Sequence, residues 1–192
     1  CVSTASSTVT VNPVPVTTVN SATICTGSSA TLTANGATTY VWSPAGGLSA
    51  TTGTSVSANP NATTAYMVVG SIGTCTSSAT ANLTVNPLPI VTANSATVCI
   101  GNSATLTAAG ASTYLWSNAV ANVSLTISPL STSSFTVIGT DANNCVGSVV
   151  ASITVNPLPI VVVNSATICD GNSATLTAVG ANTFTWSPAT AL

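Results

Sequence analysis

Six cysteines and two aspartates are the side chains of this 192-residue chain with chemistry beyond packing and neutral hydrogen bonding. They are Cys1, Cys25, Cys75, Cys99, Cys145 and Cys169, with Asp141 and Asp170. Thiols can pair as disulfides or hold a soft metal. A zinc site wants closely spaced thiols or imidazoles, and the chain has no C-x-x-C and no His. Disulfide formation is the chemistry left to the thiols. Asp141 stands in Thr-Asp-Ala-Asn-Asn ahead of Cys145, and Asp170 follows Cys169. One carboxylate per site is a poor calcium set, whereas an Asx turn needs only one. No metal or other cofactor is expected.

The rest of the composition narrows the function further. There is no Lys, Arg, His, Glu or Gln, and Ser with Thr make up about a third of the chain. Nucleic-acid binding needs cations against phosphate, so no nucleic-acid partner is expected. The abundant hydroxyls lack a base to activate them, so no enzyme is expected. Disorder goes with low hydrophobicity and high charge, but 45% of residues are apolar and the net charge is −2. No apolar run reaches the ~18 residues of a membrane span, and no signal-peptide pattern opens the chain. A structural, adhesive or neutral-ligand protein remains.

Positioning of the cysteines follows an internal repeat. V-N-P-x-P occurs at Val11–Pro15, Val85–Pro89 and Val155–Pro159. The step from its first Pro to the next Cys is constant: Pro13 to Cys25, Pro87 to Cys99, Pro157 to Cys169. So is the step from that Cys to a Trp, which reaches Trp42, Trp116 and Trp186. A second Cys precedes each Val-Asn-Pro at a fixed distance: Cys1 before Asn12, Cys75 before Asn86, Cys145 before Asn156. The period from Pro13 to Pro87 is slightly longer than that from Pro87 to Pro157, and both suit small domains strung in a line. The expected boundaries are 1–12 for the last strand of one domain, 13–86 and 87–156 for two whole domains, and 157–192 for strands A to C of another. Cys1 keeps the phase of Cys75 and Cys145, so it reads as a repeat cysteine rather than a lipid anchor. Thr26 and Ile100 stand where Asp170 does in the other copies, against a shared metal site. The stretch from Trp42 to Pro60 is longer than its copy from Trp116 to Pro129, as variable loops on a fixed core are.

Period-two alternation marks half-buried strands. Ala30, Leu32 and Ala34 share one face, with Thr31 and Thr33 on the other; the pattern recurs around Leu106 and Leu176. Gly36, Gly110 and Gly180 follow in an A-x-G-A turn suited to positive φ. Trp42, Trp116 and Trp186 are expected in the core with Leu32, Leu106 and Leu176. Threonine favours a strand with a wet outer face, which accounts for much of its excess. Asn61, Asn82 and Asn122 head N-x-S/T sequons, candidate glycosylation sites that chance also produces in a Thr-rich chain.

The order of these segments resembles the immunoglobulin-like superfamily. Val123–Ser128 followed by Phe135–Val137 looks like strands E and F, Gly27–Leu32 like the start of strand B, and Trp42 matches the core Trp of strand C. Together, V-N-P-x-P, C-x-G-x-S-A-T-L-T-A and Y-x-W-S resemble the tandem Ig-like or PKD-like repeats of very large Bacteroidota surface proteins. No acidic W-x-F-G-D-G follows Trp42, a departure from true PKD domains. The resemblance implies an all-β array of Ig-like sandwiches of about 70 residues each, near the lower size limit for a stable core. It also implies type IX export and an adhesive, gliding or fibre role at the cell surface.

The positions of the usual B–F bridge hold Ala34 with Val68 and Ala108 with Val137, so the cysteines pair elsewhere. Cys25 falls at the far pole of its domain and Cys75 at the near pole, which leaves a disulfide between them strained. Topology favours a bridge from Cys25 to Cys145 of the next domain. Pairing within domains, Cys25 with Cys75 and Cys99 with Cys145, stays open if strand A is short. Cys1, Cys75, Cys99 and Cys169 would pair beyond these residues or with neighbouring chains. The functional expectation is a rigid extracellular rod, stalk or fibre whose partners are neighbouring repeats and, in a fibre, identical chains. A neutral-ligand module for polysaccharide or ice is the alternative, through Thr rows such as Thr31 and Thr33.

Overall fold

The computed structural model describes residues 1–187. The chain there is all-β. Among the described residues no helix is long and apolar enough to cross a membrane.

Two sandwiches account for the first fourteen strands. In the first, β1 (Thr18–Val19), β3 (Ala30–Asn35) and β5 (Ser55–Ala58) form a small sheet in the order β1-β3-β5. Facing it are β2 (Ala22–Cys25), β4 (Thr39–Ser43), β6 (Thr64–Ile72) and β7 (Cys75–Asn86), in the order β2-β7-β6-β4. The second repeats this plan. Its small sheet is β8 (Thr92–Ala93), β10 (Ala104–Ala109) and β12 (Ser124–Ile127), and its larger sheet joins β9 (Ala96–Cys99), β11 (Thr113–Trp116), β13 (Ser133–Thr140) and β14 (Val146–Asn156). In each, the second strand joins the closing strand in parallel while the other pairings are antiparallel. Strands E and F fall in opposite sheets, as β5 with β6 and β12 with β13. That is the Ig-like arrangement.

Each sandwich closes on its own core, filled by the inward positions of the period-two pattern. Leu32, Ala34, Trp42, Tyr66, Val68, Ala81 and Leu83 fill the first. Leu106, Ala108, Trp116, Leu125, Val137, Ala151 and Ile153 fill the second. The buried indoles keep their N–H groups satisfied. Trp42 Nε1 donates to the Gly53 carbonyl and Trp116 Nε1 to the Asn122 carbonyl, both at 2.9 Å. The two acceptors lie on connections of different length, 44–54 and 117–123, so the loop changes while the bond is kept. Gly36 and Gly110 turn with φ of 92° and 96°, and a Cβ at either would collide with a backbone carbonyl, Val16 or Ile90.

Three expectations need correction. Residues 1–12 form no strand, because no strand stands beside them, whereas β7 and β14 are each paired on both sides. In the third repeat only β15 (Val162–Val163) and β16 (Ala178–Val179) pair, rather than full strands A to C, and 188–192 lie outside the described residues. Trp186 and Leu176 are not buried: they are 37% and 42% exposed. Nothing equivalent to β5, β6 and β7 covers them among the described residues, so the same side chains that are core in two repeats face solvent in the third.

Candidate functional site

The junction between the sandwiches concentrates the chain's distinctive chemistry. β2 runs beside β7 in the register Ala22↔Leu83 to Cys25↔Asn86. Thr26 N and Thr26 Oγ1 both donate to the Asn86 carbonyl, at 2.9 and 3.1 Å. Cys25 is thereby fixed beside the last residue before the Pro87–Pro89 segment, at the pole where the chain leaves the first sandwich.

Cys145 meets it from the second sandwich. It closes the β13–β14 connection, which Asp141 organises: Asn143 N and Cys145 N each donate to Asp141 Oδ1 at 2.8 Å, and Asp141 N donates to the Cys145 carbonyl at 3.0 Å. Asp141 is thus an Asx-turn residue that holds the cysteine backbone. Gly147 lets the Pro89 carbonyl lie against the start of β14, where a Cβ would collide with it. The structure joins Cys25 to Cys145 by a disulfide, with Cα atoms 5.5 Å apart across 120 residues of sequence. Cys145 is fully buried in this joint.

The within-sandwich pairings are therefore not formed. β7 begins at Cys75 and ends at Asn86 beside Cys25. Eleven strand steps separate those ends by roughly 36 Å, beyond the reach of a disulfide. Cys99 occupies the same place beside Asn156, with Ile100 N donating to the Asn156 carbonyl at 2.9 Å. Cys1, Cys75, Cys99 and Cys169 carry free thiols. Cys75 is half-buried and directs its Sγ at the Asn12 carbonyl, 3.6 Å away. Among the described residues no group of three Cys, Asp, Glu or His could hold a metal.

Other candidate residues are dispersed. Asn61, Asn82 and Asn122 are all exposed, with Asn82 on the outer face of β7. The outer faces of the small sheets carry hydroxyl pairs, Thr31 with Ser57, Thr33 with Ser55, and Thr105 with Thr126. In two of these pairs the hydroxyls bond to each other, Thr105 with Thr126 at 2.9 Å and Thr33 with Ser55 at 3.3 Å.

One set of residues had a visible signal that sequence reading passed over. N-S-A-T recurs at Asn20, Asn94 and Asn164, at one fixed distance before Cys25, Cys99 and Cys169. Asn20 and Asn94 are clamps on β3 and β10, and Asn164 makes the same bonds to a segment of the third repeat that is not in a strand. Asn94 Oδ1 accepts from Thr107 N at 2.5 Å while its amide donates to the Thr105 carbonyl at 3.2 Å. Asn20 and Asn164 repeat the bonds to Thr33 and Thr31, and to Thr177 and Thr175. The neighbouring Ser21 and Ser95 accept from the closing strand, at Asn82 N and Ser152 N. This stitch sets where β2 and β9 begin, and hence where Cys25 and Cys99 end.

The strand order and the two cores define an Ig-like β-sandwich protein. No protein-family model and no curated protein matches the chain. Among solved structures it is similar to the titin domains z1z2 in complex with telethonin, at 15% identity and a TM-score of 0.34, over 78% of this chain and 100% of that one. It is also similar to DIP-gamma IG1+IG2, at 13% identity and a TM-score of 0.38, over 74% and 98%. A third is Drosophila OTK extracellular domains 3-5, at 12% identity and a TM-score of 0.40, over 72% and 60%. The class assignment rests on this chain's own topology.

Proposed function

We propose that this chain is a structural repeat region, the shaft of an extracellular rod, stalk or fibre on a surface adhesin or filament. The observation that carries the reading is the disulfide between Cys25 and Cys145, which ties one sandwich to the next rather than closing either. Proline at both ends of the intervening Pro87–Pro89 step fixes φ and removes donors, which stiffens the joint. The repeat units on this reading are 13–86 and 87–156, flanked by 1–12 and 157–192. Disulfide chemistry favours an oxidising compartment outside the cytosol. The resemblance to tandem surface repeats of Bacteroidota points the same way. Neighbouring repeats are the partners, and identical chains extend the fibre.

A neutral-ligand module is less well supported. Sugar sites use exposed aromatic faces, but in the two complete sandwiches Trp42, Trp116 and Tyr66 are buried, and outer hydroxyls such as Thr105 and Thr126 are occupied with each other.

Small-angle scattering of the oxidised and reduced chain tests the rod. The expected result is one fixed separation between sandwich centres in the oxidised chain and a broadened distribution after reduction. A broad distribution in the oxidised chain would overturn the reading.

A further inference from the structure

We propose that the free edge of β12 in the second sandwich is a strand-pairing site, and that its occupant is β12 of a second copy of this chain, laid antiparallel across a two-fold axis. This deepens the fibre reading, on which it rests, by naming the surface through which chains join side by side.

The two sandwiches differ at one edge. β5 and β12 hold the same place at the rim of the small sheets, where β3 or β10 pairs one side of each. In the first sandwich the long 44–54 connection turns back and covers the other side of β5. Ser49 N donates to the Ser57 carbonyl at 2.8 Å, Ser57 N donates to Ser49 Oγ at 3.0 Å, and Asn59 N donates to the Gly47 carbonyl at 2.7 Å. The 117–123 connection of the second sandwich is shorter and makes no such return. Its backbone bonds go to Trp116, Thr136 and Ala108, and among the described residues none reaches Ser124, Thr126 or Ser128.

Register fixes which groups are left open. Ladder bonds alternate along an antiparallel strand. Ala108 N donates to the Val123 carbonyl as Ala34 N donates to the Thr54 carbonyl, both at 2.8 Å. Val123, Leu125 and Ile127 therefore bond towards β10, and Ser124, Thr126 and Ser128 turn their N–H and C=O groups outward. Thr126 stands opposite Thr105 as Ser57 stands opposite Thr31, so it is the counterpart of the residue that Ser49 covers. Thr126 and Ser128 are exposed.

The occupant follows from the chemistry of the edge. The segment that covers β5 is short, neutral and hydroxyl-bearing, and β12, Ser-Leu-Thr-Ile, has that character itself. An antiparallel pair about a two-fold axis matches such an edge to itself. Thr126 then faces Thr126 of the second copy and Ser124 faces Ser128 of the second copy, so the outward groups of these residues pair with one another. The hydroxyl row of Thr105 and Thr126 continues across the seam. Natural edges are guarded by charge or proline. Residues 123–128 carry neither, and with two Asp in the whole chain little repels a second copy.

The test is sedimentation equilibrium of the oxidised chain over rising concentration, with its free thiols alkylated by iodoacetamide so that only non-covalent association is read. The expected result is a monomer–dimer equilibrium. Thr126→Lys sets two ammonium groups opposite each other and should raise the dimer dissociation constant at least ~5-fold. Ser57→Lys, on the covered edge, should leave it unchanged. Hydrogen exchange at the Thr126 amide should slow with concentration, while the Leu125 amide, already turned to β10, should not respond. Replacing 117–123 by 44–54 should cover the edge and abolish the dimer. A monomer at every concentration, a dimer that both lysine variants weaken alike, or a Thr126 amide indifferent to concentration would overturn the proposal. Small-angle scattering of the monomer separates the two readings: one fixed separation between sandwich centres without any dimer leaves the rod standing and removes only the side-by-side link.

Discussion

Cys25 and Cys145 are 120 residues apart in sequence, lie on different sandwiches, and have Cα atoms 5.5 Å apart. A crosslink over so long a loop restricts the unfolded chain strongly. Cys145→Ser should lower stability in urea by about 2–4 kcal/mol against the oxidised parent. It should also uncouple the sandwiches, so that two transitions replace one. An unchanged single transition would show that the joint is held by something other than the bond.

Asn94 makes the same two bonds to β10 as Asn20 makes to β3. Asn94→Ala leaves Thr107 N and the Thr105 carbonyl without their partner. The expected loss is about 1–2 kcal/mol in the second sandwich alone, checked by chemical denaturation. Asn94→Asp keeps the acceptor and loses the donor, so it should fall between the parent and the alanine variant.

Gly110 has a φ of 96°, and a Cβ there would strike the Ile90 carbonyl. Gly110→Ala combines backbone strain with that collision and should cost about 2 kcal/mol or more. Gly101→Ala is the control: it also has positive φ, 88°, but nothing within 4 Å of the added carbon. Its measured loss should be the smaller of the two.

Burial pushes the Tyr66 hydroxyl above its ordinary value of 10.0, an effect that a hydrogen bond with Thr64 partly offsets. The hydroxyl donates to the Gly46 carbonyl at 2.7 Å. With the folded value raised, the contribution to stability is complete below about pH 10 and is lost as pH rises through the folded value. Thermal melts at rising alkaline pH should show this decline in the first sandwich. Phe135 holds the equivalent position in the second, so Tyr66→Phe should remove the slope at a cost of about 1 kcal/mol.

Much of the fold is legible because the repeat makes the sequence its own comparison. The inward Leu32 and Leu106, the Trp42 and Trp116 positions and the turn at Gly36 each follow from local alternation and φ requirements that need no distant partner. The Asn clamps are harder to see. Asn20 and Asn94 look like ordinary loop residues until strand B, further along the chain, is placed beside them. Trp186 and Leu176 show the converse. Their local pattern matches the buried copies, but burial is a property of what covers a side chain, not of its own neighbours in sequence.

The alternating strands, the nearly uncharged surface and the spacing that returns each cysteine to the same phase are written in the residues themselves, because they depend on side-chain type and local backbone preference. The meeting of Cys25 with Cys145 is not. The parallel docking of β2 on β7 and the path of the Pro87–Pro89 step are what set those two thiols together. The approach of Cys75 to Asn12 belongs with it: contact across separate elements is fixed by three-dimensional packing, which no local pattern encodes.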